Sequence, residues 1–135
     1  IVKKERDSHQ WQLPQGAYKD DDGDDLRRTA IRTLTEECGV GEDFRVFFEG
    51  YAPLTYYCYP YPENIQKERN TYGSKVFFFS ATFLEGDPIL DKNHLSDYMW
   101  VTKEEIAEYL DPELNTVVKD ILPYEFPFQQ VLSRN

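Results

Sequence analysis

The chain is expected to fold as an α/β sandwich, with helices packed on both sides of a mixed sheet. Three observations lead there. Residues 11–40 (WQLPQGAYKDDDGDDLRRTAIRTLTEECGV) pass from a short apolar strand through a turn into a helix. Aromatic residues make up 16% of the chain and crowd its middle third in runs of strand length. Helical apolar stripes then close the sequence after residue 102. A length of 135 residues fits one domain with a sizeable core. We place that domain at residues 1–122 and treat 123–135 as an aromatic, proline-bearing tail.

Residues 1–4 (IVKK) read as the end of a strand, and 5–10 as a polar turn into the strand at 11–13. Pro14, Gln15 and Gly16 turn the chain, and an acidic loop follows to Gly23. Asp24 is the expected N-cap of the next helix, with Asp25 adding charge that the helix dipole favours. Leu26, Ala30, Leu34 and Cys38, widened by Ile31, form its expected buried stripe, and Gly39 ends it. Strands are expected at 45–51 and 54–59, followed by a long hairpin connection through Pro60, Pro62 and residues 63–72. Residues 75–84 (KVFFFSATFL) read as one central strand covered on both faces. A polar loop at 89–97 precedes a short strand at 98–101. Thr102 and Glu105 form a capping box for a helix whose inner face is Ile106 and Leu110. Asp111 and Pro112 open another helix, with Leu114, Val117, Val118, Ile121 and Leu122 as its stripe.

The formal net charge of −10 disfavours a domain whose main work is neutralising phosphates. Cys38 and Cys58 are isolated, without metal-ligand spacing, and a reducing compartment is the default expectation. No apolar run reaches membrane-spanning length. The chain starts without Met and reads as a strand entered partway, so we expect a fragment whose N-terminal part lies upstream. Asp20, Asp21 and Asp22 lack the spacing of a calcium loop and read as solvated. His9 and His94 read as surface residues. Tyr56, Tyr57, Tyr59 and Tyr61 could stack on bases, but no Lys or Arg is interleaved among them, which favours a core-plus-interface role.

Positions 33, 36 and 37 project from one side of the 24–38 helix. Oxygen ligands on adjacent turns, after a glycine-containing loop, suit a divalent cation facing a diphosphate. This stretch resembles the Nudix box: Gly, five residues, Glu, seven residues, then Arg-Glu-apolar-x-Glu-Glu-x-Gly-apolar. Arg32, Leu34, Glu36, Glu37, Gly39 and Val40 match it. Thr33 stands in place of the first helix carboxylate, Asp24 in place of the loop Glu, and the loop after Gly16 is two residues too long. The resemblance implies that Asp24 bridges to Arg32 and that Glu36 and Glu37 are vestiges of a metal site. Without a third carboxylate a bound metal is not expected, nor is any other cofactor.

WQLPQG at 11–16, RTLTEECG at 32–39, KVFFFSATFLEGD at 75–87 and WVTKEEIAEYLDPEL at 100–114 resemble a non-enzymatic branch of the Nudix fold. This branch is the forty-six family of the mitochondrial large ribosomal subunit. It implies a mitochondrial scaffold in the central protuberance, contacting neighbouring ribosomal proteins, with rRNA contact at most peripheral and no membrane. Tyr124, Phe126 and Phe128, held between prolines, are the expected partner-binding side chains. The competing reading is a Mg²⁺-dependent hydrolase of a nucleoside diphosphate derivative, which Thr33 and the long loop disfavour.

Overall fold

A computed structural model describes residues 1–4 and 10–123. Most of the expected turn at 5–10, and the side chains of Tyr124, Phe126 and Phe128, lie outside the described residues. The elements run β1 (Val2–Lys4), β2 (Trp11–Gln12), α1 (Leu26–Cys38), β3 (Phe44–Glu49), β4 (Thr55–Pro60), α2 (Glu63–Arg69), β5 (Gly73–Phe78), β6 (Ser80–Gly86), β7 (Leu95–Tyr98) and α3 (Pro112–Ile121). Single 3₁₀ turns occur at Asp20–Asp22 and Glu105–Glu108. The α/β class expected from the sequence is borne out. The chain divides into two compact units, Ile1–Trp100 and the residues from Val101 onward.

In the first unit the strands pair in three antiparallel sets, β2-β1-β7, β3-β6 and β4-β5. The single strand expected at 75–84 is divided at Phe79. Its first half pairs with β4 from Thr55↔Phe78 to Pro60↔Gly73, and its second with β3 from Phe44↔Gly86 to Glu49↔Ser80. Of the run, only Phe78 is buried. An unbroken apolar run cannot distinguish one doubly covered strand from two strands in succession; the partners decide. The connection expected at 63–72 contains α2, built from the good helix formers Glu, Gln, Lys and Arg and closed by Asn70 at φ 49°. Strand β7 begins three residues before the expected 98–101, because Leu95 is buried and pairs opposite Lys4.

Helix α1 is capped by Asp25, whose Oδ1 accepts the Arg27 amide at 2.9 Å; Asp24, the expected N-cap, lies one residue outside. Gly39 ends the helix in the left-handed region at φ 72°, as expected, with its N–H on the Thr35 carbonyl. The buried stripe is rotated from the expected one. Cys38 is buried and Leu34 partly so, but Leu26 is exposed, and Thr29 and Thr33 are among the most buried positions. Periodicity registers apolar residues alone, so it missed the threonine side on which the acidic loop packs.

Val2, Cys38, Phe44 and Leu95 form the core of this unit, with Leu34, Val46 and Leu90 against it. Burial, reinforced by the Glu37 charge, pushes the Cys38 thiol up to about 11. Cys58 is free and exposed on β4. The native chain should therefore yield one fast-reacting thiol to an aromatic disulfide reagent, and two after unfolding in guanidinium. Two equally fast native thiols would contradict the burial of Cys38.

In the second unit the expected capping box is present. Thr102 N donates to Glu105 Oε2 at 2.9 Å, and Glu105 N to Thr102 Oγ1 at 3.2 Å, although a 3₁₀ turn follows instead of the expected α-helix. Ile106, Leu110 and Val118 are buried, and Asp111 caps α3 through the Glu113 amide, as expected. Among the described residues no helix is long and apolar enough to cross a membrane.

Candidate functional site

The candidate site lies where the acidic loop meets α1. Its centre is Asp22, only 4% exposed although it closes a run of three aspartates. The carboxylate accepts four hydrogen bonds. Arg32 supplies two, Nε to Oδ1 at 2.7 Å and Nη2 to Oδ2 at 2.8 Å; Thr29 Oγ1 and the Lys19 amide each donate to Oδ2 at 2.9 Å. The Arg32 bonds come first among the causes that hold the Asp22 carboxyl well below the usual range, and they push the guanidinium further up. Arg32 also donates to the Ala17 carbonyl at 2.7 Å and to Glu36 Oε2 at 3.1 Å. One side chain of α1 thereby fastens both ends of the loop.

Asp22 thus takes the role the resemblance assigned to Asp24. Asp24 is exposed and stands outside this network. Counting forward from Gly16, five residues precede Asp22; counting back from Arg32 across seven residues arrives at Asp24. The two extra residues make these counts disagree, and only the folded loop chooses between them. The solvated-loop reading holds for Asp20 and Asp21, which are exposed, and fails for Asp22.

Thr33 is 5% exposed, and its Oγ1 is buried without a hydrogen-bond partner. It packs against the backbone of Gly16, where any added Cβ would collide with that hydroxyl. A larger, charged side chain at either position would force the loop away from α1. Glu36 is half exposed and turned toward Arg32 and Lys19, the latter at 3.9 Å. Glu37 is half-buried and accepts the Gln15 amide at 3.2 Å; burial pushes its carboxyl up. Glu36 and Glu37 are thus spent on different neighbours. Among the described residues no three His, Cys, Asp or Glu side chains form a set that could hold a metal ion.

Glu37 borders an open groove of about 480 Å³, lined also by Gln12, Gln15, Gly16, Asn93 and His94. His94 is on the surface, as expected, and its Nδ1 lies 2.6 Å from Asp91 Oδ2, a bond that lowers the Asp91 carboxyl. Asp91 is in turn tied to α1, its amide donating to the Glu37 carbonyl at 3.0 Å. Sequence reading missed Asp91 and His94 as neighbours of Glu37, because more than fifty residues separate them along the chain.

A family model described as the NUDIX domain matches residues 1–123. The chain belongs to the NUDIX domain family. The chain is 34% identical over 125 residues to the large ribosomal subunit protein mL46 of Bos taurus, covering 90% of this chain and 42% of that protein. It is 36% identical to the protein of the same name from Mus musculus, covering 90% and 41% respectively. The chain therefore spans about two fifths of the length of these curated relatives. Within the NUDIX frame, the Arg32–Asp22 pair supplies the helix-to-loop tie, and Thr33 packs its hydroxyl, buried without a hydrogen-bond partner, against Gly16.

Proposed function

We propose that this chain is the NUDIX-fold part of a mitochondrial large ribosomal subunit protein, acting as a structural platform without hydrolase activity. One observation carries the reading. The side chains of the box are engaged with their own neighbours: Asp22 of the loop on Arg32, Glu36 on Arg32 and the loop's Lys19, Glu37 on the Gln15 amide, and Thr33 against Gly16. Metal-assisted attack on a diphosphate needs carboxylates that converge on the metal and a positioned water. The likeness to relatives named as large ribosomal subunit proteins supports the same reading. We place the protein in the mitochondrion, in the central protuberance, among other ribosomal proteins. Its tail is assigned as one partner contact, through Tyr124, Phe126 and Phe128.

Two measurements test this. Incubated with Mg²⁺ and a panel of nucleoside triphosphates and dinucleotides, the chain should release no phosphate or nucleoside monophosphate above background. Turnover abolished by Glu37→Gln would restore the hydrolase reading. In sucrose gradients, mitochondrial large subunits lacking the endogenous protein should take up the chain, and take up a version ending at Leu122 less well. Failure of the full chain to sediment with them would remove the ribosomal assignment.

A further inference from the structure

We propose that the outer face of the β4–β5 hairpin is a stacking platform for single-stranded RNA. In the sequence the tyrosines of 56–61 have no cation among them; the fold supplies one across the hairpin. The register pairs Tyr56 with Phe77 and Cys58 with Lys75, so these four residues share one face. Lys75 Nζ lies 4.2 Å from the Tyr56 ring centroid and 5.3 Å from that of Phe77. The Tyr56 and Phe77 rings are 6.2 Å apart. At the end of the hairpin the Arg69 guanidinium lies over Tyr61 at 5.5 Å. Tyr56 remains 57% exposed with the ammonium beside it, which leaves ring surface for a base.

Charge selects the partner. Residues 55–78 hold Lys67, Arg69 and Lys75 against Glu63 and Glu68, a net positive segment in a chain of net charge −10. An acidic partner is therefore drawn to this hairpin and repelled by the surrounding surface. A base accepts stacking from Tyr56 while its phosphate meets Lys75, the combination by which sequence-tolerant single-strand binders work. The source of that RNA, a peripheral rRNA strand, rests on the ribosomal reading; the binding itself does not.

The test uses the purified 135-residue chain and a fluorescein-labelled, mixed-sequence 12-nucleotide RNA, followed by anisotropy at several salt concentrations. Tyr56→Ala should weaken binding about tenfold, and Tyr56→Phe should retain it, since the ring does the stacking. Lys75→Ala should weaken binding and make the salt slope shallower by about one. Lys92→Ala, an exposed cation outside the hairpin, should change nothing. Circular dichroism confirms that each variant is folded. Absence of wild-type binding, or Tyr56→Ala and Lys75→Ala binding like wild type, overturns the proposal. The sucrose-gradient assay separates it from the ribosomal assignment. If the wild-type chain enters the large subunit but binds no RNA, the platform is rejected while the ribosomal reading stands, and a protein partner takes the hairpin. RNA binding that depends on Tyr56 and Lys75 without subunit entry keeps the platform and rejects the ribosomal source.

Discussion

Asp22→Asn is expected to be far more damaging than Asp20→Asn or Asp21→Asn, although the three residues are adjacent and chemically alike. Asp22 is buried and accepts four hydrogen bonds, two from Arg32, so its replacement leaves a guanidinium partly buried beside a neutral amide. Asp20 and Asp21 are exposed, and substitutions there should stay within about 0.5 kcal/mol. Chemical denaturation of the three variants checks this, and equal losses would mean that the loop is held by something other than the Arg32 pair. The pH dependence has a definite sign. The Asp22 carboxyl is depressed in the folded chain, so the unfolded chain takes up the proton first as pH falls. Its contribution is complete well above the ordinary aspartate value of about 3.9 and is lost as pH drops through that value toward the lower folded one. Glu37 acts in the opposite sense. Its carboxyl is raised by burial, so the folded chain binds that proton first, and mild acidification relieves a cost. Asp22→Asn should therefore flatten the steep acid limb, and Glu37→Gln should remove the shallow gain that precedes it.

Phe44→Ala is expected to cost about 3–5 kcal/mol, the range for deleting a buried aromatic ring. Phe44 is 3% exposed, packs with Val2, Cys38 and Leu95, and lies 6.2 Å from the Phe83 ring. Phe47 stands on the same strand three residues later, points to the other face and is 60% exposed; Phe47→Ala should cost less than about 1 kcal/mol. Urea unfolding monitored by tryptophan fluorescence measures both. Comparable losses would place the inner face of β3 on the wrong side. The contrast matters for function, because the core formed by Phe44, Cys38 and Leu95 anchors the end of α1 that carries Glu37.

Local chemistry made several features readable in advance. The Gly39 stop, the Thr102–Glu105 box and the Asp111-Pro112 helix start depend on neighbours within a few residues, and each stands where the sequence placed it. The NUDIX resemblance was likewise legible, since it rests on residue types at set spacings along one helix and its loop. Tertiary structure decided everything that depended on a partner far along the chain. It divided 75–84 at Phe79, because β3 and β4 each claimed one half. It chose Asp22 over Asp24 as the partner of Arg32, because a two-residue excess in a loop leaves spacing ambiguous until the loop closes. It set Lys75 over Tyr56 from nineteen positions away, a pairing that cross-strand register creates and that no run of adjacent residues can reveal. Caps, glycine stops and helix starts are fixed by forces acting over one helical turn, whereas strand partners and buried ion pairs are selected by the free energy of the assembled unit.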